Sequence, residues 1–184
     1  AYDGEIAFTD HNVGRILDFL REKGVYDNTV IIIVGDHGEI LYEKAKFFGH
    51  YKWVYQGALR IPFIMKFPDV GPRVIEERVS NIDVMPTLLE TVGITSRVKM
   101  SGRSYWKAIK SGKDIDAREY TVCITNPHPQ IPPETQEHPE PRMVSFEWVF
   151  RKIAVYKGKW KFIVNRWHLK QPLEEFYDVI DDRH

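Results

Sequence analysis

The chain has 184 residues, of which 43% are hydrophobic and 28% charged, and its formal net charge is zero. This composition is typical of a globular domain with a real core, and the balanced charge gives no support for a nucleic-acid partner or a polybasic membrane surface. A single cysteine excludes an internal disulfide framework, and no apolar run is long enough to span a membrane.

Residues 3–23 carry apolar side chains at helical spacing and predict an amphipathic helix that stops at Gly24. This helix already begins at the first residues, without an initiating methionine, so we expect a piece of a longer protein. Its localisation stays open, because a signal peptide would precede the piece.

Residues 30–34 are all apolar, which is typical of a strand buried on both faces in a parallel sheet covered by helices. Asp36 and His37 follow directly, between Gly35 and Gly38. Ligands bind at the carboxyl ends of strands in open α/β sheets, and a carboxylate beside an imidazole is a pair of metal ligands. We therefore predict half of a metal site here; the alternative is that Asp36 caps a following helix.

The polar stretch after this tip, which reaches Gln56, has no clear period. Long loops on α/β scaffolds often carry function. His50 and Lys52 are its candidate site residues. The alternatives are a loop histidine packed among aromatic rings and a solvated lysine whose stem packs on Trp53.

The rest of the chain predicts further strands and helices. Its expected elements are a strand at 61–66, a weak strand at 74–79, a helix from Pro86 to Gly93, a short helix within 101–112, a strand at 118–125, a hairpin at 149–164 and a strand at 175–178. Residues 126–142 contain six prolines and predict a loop or partly disordered insertion. We predict an α/β portion over residues 1–95 and an antiparallel portion over 96–184.

Five motifs in this order resemble the carboxyl-terminal half of the sulfatases, a family of the alkaline phosphatase superfamily. They are Y-D-G-E-I-A-F-T-D-H-N-V-G-R-I-L, D-N-T-V-I-I-I-V-G-D-H-G-E, H-Y-K-W-V-Y-Q-G-A-L-R-I-P-F-I, N-I-D-V-M-P-T-L-L-E-T-V-G-I, and K-G-K-W-K-F-I-V with E-E-F-Y-D-V. The resemblance implies part of an alkaline-phosphatase-like three-layer α/β/α sheet, followed by a small antiparallel β subdomain. Gly35 stands where serine is commoner, and the proline-rich segment lies outside the pattern.

The resemblance also implies a mechanism. Sulfatases attack a sulfate ester with a formylglycine, while a divalent ion, usually calcium, neutralises the sulfate oxygens. Asp36 and His37 match two of the metal ligands, for which manganese and zinc are the alternative ions. Lys52 matches the lysine that contacts the sulfate or the leaving-group oxygen, although its spacing to Arg60 differs by about one residue from commoner members. His50 is the candidate for a second polar contact.

Two parts of the family pattern are absent from this sequence. The formylglycine motif and the paired N-terminal aspartates are missing, and Cys123, within C-I-T-N-P, lacks the Ser-Arg that would mark a nucleophile. An anionic ester needs metal, cationic contacts and a positioned nucleophile together. We therefore expect the chain to pack against a missing N-terminal half and to be inactive alone.

Two other functions stay open. A phosphodiesterase or phosphonate monoester hydrolase of the same superfamily shares the D-H-G tip, and its two-zinc members add a distant histidine, for which His128 and His138 are candidates. A non-catalytic homologue or structural fragment is the second alternative. The organic group of the ester, whether aryl, glycan or lipid, is left undetermined by the sequence.

Overall fold

The computed structural model describes residues 1–42, 48–50, 53–125, 152–165 and 174–180. The elements are α1 (Tyr2–Glu22), β1 (Ile31–Val34), β2 (Ile40–Leu41), β3 (Phe48–Gly49), α2 (Gln56–Leu59), β4 (Phe63–Lys66), a 3-10 turn (Asn81–Asp83), α3 (Val84–Thr91), α4 (Trp106–Ser111), β5 (Thr121–Ile124), β6 (Lys152–Lys157), β7 (Trp160–Asn165) and β8 (Glu174–Asp178). Each predicted helix and strand has a counterpart among these elements except the strand at 74–79, whereas β2, β3 and α2 were not predicted.

The strands of the described residues form three antiparallel sheets. β1 pairs with β4, β2 pairs with β3, and the last four strands form a sheet in the order β5-β6-β7-β8. The β6–β7 hairpin turns at Gly158, whose φ of 53° suits glycine. A mixed helix and strand portion followed by an antiparallel sheet agrees with the predicted architecture.

The prediction that β1 is buried on both faces is wrong for this chain. Its first three residues are half-buried, Val34 is 37% exposed, and its partner β4 runs antiparallel to it. The apolar side chains of β1 could be buried on both faces of a sheet, but the described elements cover neither face completely.

Helix α1 leaves a large apolar surface uncovered. None of its residues, all of which the structure describes, is buried. Ile6 is 54% exposed, Phe8 67%, Ile16 61% and Phe19 55%. Several large apolar side chains exposed on one helix are typical of a surface that contacts another part of a protein.

The predicted weak strand at 74–79 is also wrong, because the segment is extended but pairs with no described strand. Ile75 and Val79 instead pack against a cluster of buried side chains. Packing of two apolar residues thus produced the sequence signal without a sheet. The proline-rich segment, residues 126–142, lies outside the described residues.

Two hydrophobic clusters form the core of the described residues. One contains Val54, Ala154, Tyr156 and Ile163, and the other contains Phe67, Tyr105, Ile109 and Ile115. Each cluster combines side chains from both sides of residue 95. The division into portions 1–95 and 96–184 therefore stays a prediction.

Candidate metal half-site

The turn that follows β1 is held by backbone contacts to α2 and to Pro62, which lies directly before β4. Gly35 N donates a hydrogen bond to Pro62 O at 3.0 Å, and Gly38 N donates to Ala58 O at 2.8 Å. A Cβ atom at position 38 would lie 2.1 Å from Gly57 O. Glycine is required there because the turn lies directly against the backbone of α2.

Asp36 and His37 lie side by side on this turn. The backbone N of His37 donates to Asp36 Oδ1 at 3.0 Å. The Asp36 side chain is 90% exposed and the His37 side chain 44%, with His37 Nε2 3.7 Å from Asp36 Oδ2. The next element along the chain is β2, so Asp36 does not cap a helix at this point.

The hydrogen bond of the His37 ring fixes which nitrogen is available to a ligand. Nδ1 lies 3.0 Å from Gly38 O, and a carbonyl oxygen only accepts, so Nδ1 carries the proton. In the neutral ring the lone pair is then on Nε2, the nitrogen nearest the Asp36 carboxylate. Two ligand atoms about 2.3–2.6 Å from one Ca²⁺ at right angles are about 3.3–3.7 Å apart. The observed pair therefore fits a divalent cation.

The structure adds Glu39, which was not assigned a role from the sequence. The short β2–β3 ribbon places Ile40 opposite Gly49, so that residues 39 and 50 flank it on the same side. His50 Nδ1 lies 3.0 Å from Glu39 Oε2, and these side chains are 27% and 25% exposed. The contact depends on the pairing of residues 40 and 49, which strands of two residues do not reveal in a sequence pattern.

His50 also contacts the predicted metal ligand directly. Its ring stacks on that of His37, with centroids 3.6 Å apart and planes inclined by 24°. Ligand atoms of His37, Glu39 and His50 all lie within 4.8 Å of one another. The structure thus brings two of the sequence-predicted residues, His37 and His50, into one cluster and places Asp36 at its edge.

The other candidates have different outcomes. Lys52, His128 and His138 lie outside the described residues, so their roles stay predictions. Cys123 lies on β5, where burial raises the pKa of its thiol. An activated cysteine needs a lowered pKa, so the environment agrees with rejecting Cys123 as a nucleophile.

Trp53 and Tyr55 are anchored to the C-terminal sheet. Lys152 Nζ lies 3.5 Å from the centroid of the Trp53 ring. Tyr55 OH donates to the Glu175 carboxylate at 3.2 Å. Burial and Glu175 raise the pKa of the Tyr55 phenol to about 12. Tyr55 therefore stays protonated at neutral pH and acts as a hydrogen-bond donor that holds this residue against β8.

A sequence model of the family described as Sulfatase matches residues 1–94, more than half of the chain. The chain belongs to the sulfatase family. The match includes the strand tip and the ribbon that carry the half-site. Sulfatases in general depend on a divalent metal ion, and the donor atoms of this sulfatase chain suit one.

Individual relatives agree with this assignment. The sulfatase chain is 33% identical over 95 residues to the choline-sulfatase of Rhizobium meliloti, a match that covers 52% of this chain and 18% of that protein. It is 37% identical over 122 residues to the multifunctional alkaline phosphatase superfamily protein PehA of Trinickia caryophylli. That match covers 64% of this chain and 23% of PehA.

Among solved structures, the phosphonate monoester hydrolase SpPMH from Silicibacter pomeroyi matches with a TM-score of 0.74 and 26% identity. The match covers 94% of this sulfatase chain and 33% of the hydrolase, which confirms the predicted alkaline-phosphatase-like fold class. The chain thus spans only about a fifth to a third of the length of these matched proteins. No helix among the described residues is long and apolar enough to cross a membrane.

Proposed function

We propose that the chain is the carboxyl-terminal part of a metal-dependent hydrolase that cleaves sulfate esters. The observation that carries this proposal is the pair of donor atoms, Asp36 Oδ2 and His37 Nε2, 3.7 Å apart at the end of β1. A divalent ion bound there neutralises the sulfate oxygens. Asp36 and His37 would hold that ion at the end of β1.

The ion that we propose is calcium, with manganese and zinc as the alternatives. The exposed Asp36 carboxylate is a hard oxygen ligand of the kind that calcium takes. The His37 imidazole is a ligand that suits zinc better, whereas manganese shares the preference of calcium for oxygen ligands. A comparison of the three ions in one protein therefore discriminates between these possibilities.

The remaining parts of the active site are proposed to come from polypeptide outside these 184 residues. That polypeptide would supply the formylglycine and the other metal ligands, while Lys52 and His50 would contact the sulfate and the leaving-group oxygen. The uncovered apolar faces of α1 and β1 support this proposal, since they need a partner surface. The small share of each relative that the chain covers supports it as well.

A second candidate function is hydrolysis of phosphonate monoesters. It is favoured by the likeness to the phosphonate monoester hydrolase from Silicibacter pomeroyi at 26% identity. The same half-site would neutralise phosphoryl oxygens, because the charge requirement of the two reactions is alike. The Asp36 and His37 geometry alone does not separate the two substrates.

The experiment compares an aryl sulfate with an aryl phosphonate monoester as substrates of the full-length polypeptide that contains this chain. We expect the higher kcat/KM for the sulfate, and a loss of about 10²–10³-fold on both esters for Asp36→Ala, as for removal of one strong electrostatic contact. The control Asp114→Ala removes an exposed carboxylate from another loop and should leave kcat/KM unchanged.

Each other outcome has a defined meaning. A higher kcat/KM for the phosphonate would replace the first proposal by the second. Hydrolysis of neither ester would support a non-catalytic homologue. The 184-residue chain alone is expected to hydrolyse neither ester.

A further inference from the structure

We infer that Glu39 is a positioning residue of the metal half-site, which acts through His50 to hold the ring of His37 in its metal-binding orientation. This inference rests on the proposed function, since it assumes that His37 binds the ion. It assigns roles to two contacts that the proposed chemistry does not use, the Glu39–His50 hydrogen bond and the stacking of His50 on His37.

The first step is the hydrogen bond. Glu39 Oε2 and His50 Nδ1 are 3.0 Å apart, and the side chains are about three-quarters buried. A carboxylate only accepts, so it holds the proton of the imidazole on Nδ1 and restrains rotation of the ring. Hydrogen bonds to an ionised acceptor are roughly twice as strong as neutral ones. Glu39 therefore fixes the plane of His50.

The second step is the stacking. The two imidazole planes are inclined by only 24° and their centroids are 3.6 Å apart. An ion bound by an imidazole nitrogen lies in the plane of that ring, because the lone pair does. One ion cannot lie in two nearly parallel planes that are separated by this distance. His50 therefore covers a face of His37 and does not share its ion.

The third step is the effect on His37. The ring is held in its own plane by the bond from Nδ1 to Gly38 O at 3.0 Å. Its side chain is still 44% exposed, so solvent competes for this single contact. Stacking on His50 adds a restraint perpendicular to the first. Together the two contacts aim Nε2 towards the Asp36 carboxylate, the arrangement that a cation needs.

The test measures manganese and calcium affinity by calorimetry in the full-length protein that contains this chain, for wild type, Glu39→Ala and Glu39→Gln. We expect Glu39→Ala to weaken binding by about 10–100-fold, as for other residues that orient metal ligands. Glu39→Gln keeps an oxygen that accepts from His50 Nδ1 and should retain most of the affinity. The melting temperature of the metal-free protein should be alike in the three forms, which separates positioning from folding.

Two results would overturn the inference while leaving the half-site intact. Wild-type affinity in Glu39→Ala would show that the contact does not position His37. Equal and strong losses in Glu39→Ala and Glu39→Gln would show that the Glu39 carboxylate binds the ion itself. Absence of metal binding by the wild type would instead overturn the half-site and the inference together, so the two failures are distinguishable.

Discussion

Replacing Asp83 by alanine is expected to lower the free energy of unfolding by about 3–5 kcal/mol, because it removes one partner of a buried ion pair. The Asp83 side chain is 1% exposed and that of its partner Arg118 is 17% exposed. The two carboxylate oxygens accept hydrogen bonds from the side chains of Arg118 and Tyr105 and from the backbone N atoms of Ser80 and Arg103. Alanine would leave all four donors without this acceptor.

Urea denaturation of the wild type and of Asp83→Ala measures this loss of stability. The control is Glu90→Gln, which removes a surface ion pair. Glu90 Oε1 lies 3.7 Å from Lys107 Nζ, and the Lys107 side chain is 91% exposed. This control should change stability by no more than about 0.5 kcal/mol. If Asp83→Ala lowered the free energy of unfolding by no more than this control does, the buried pair would not hold the start of α3 against the segment that carries Arg118.

Gly38→Ala is expected to destabilise the protein by about 3 kcal/mol or more and to abolish metal binding, because the new Cβ has no room. It would lie 2.1 Å from Gly57 O and 2.7 Å from Arg60 O, which are both backbone atoms. Either α2 or the turn must move. Movement of the turn breaks the bond from Gly38 N to Ala58 O and displaces His37, whose Nδ1 donates to Gly38 O.

The measurement combines urea denaturation with calcium titration. Gly71→Ala is the matched control, since a Cβ there has no atom within 4 Å, and it should behave like the wild type in both experiments. Normal stability and normal metal affinity in Gly38→Ala would contradict the close packing of the turn on α2 and the dependence of the half-site on it.

The strand tip was predictable because its signal is local. Five apolar residues, 30–34, followed by Gly35, Asp36 and His37, specify a strand and a turn without reference to the rest of the chain. The burial and the direction of the partner strand were not predictable in this way. They depend on how β4 returns to β1 and on what covers the sheet, which are long-range properties.

The Glu39–His50 contact was likewise not predictable from the sequence, although its two residues are closer together along the chain. The two residues are 11 positions apart in the sequence, and they meet because the two-residue strands β2 and β3 pair. Strands of this length carry no alternation that a sequence pattern would reveal. Glu39 was visible within D-H-G-E, but its partner was not.

Asp83 combines a predictable and an unpredictable property. An acid suits the start of a helix such as the one predicted from Pro86, and α3 begins at the residue after Asp83, Val84. Its partner Arg118 is 35 residues away, on the segment that leads to β5. Only the packing of that segment against α3 reveals that the carboxylate is part of a buried ion pair.

The proposal that Asp36 and His37 hold a divalent ion is tested most directly by calorimetric titration of calcium and manganese into the full-length protein that contains this chain. We expect the wild type and the exposed-carboxylate control Asp114→Ala to bind the ion equally, and Asp36→Ala to lose binding. Equal binding by Asp36→Ala and the wild type would contradict the half-site at the end of β1.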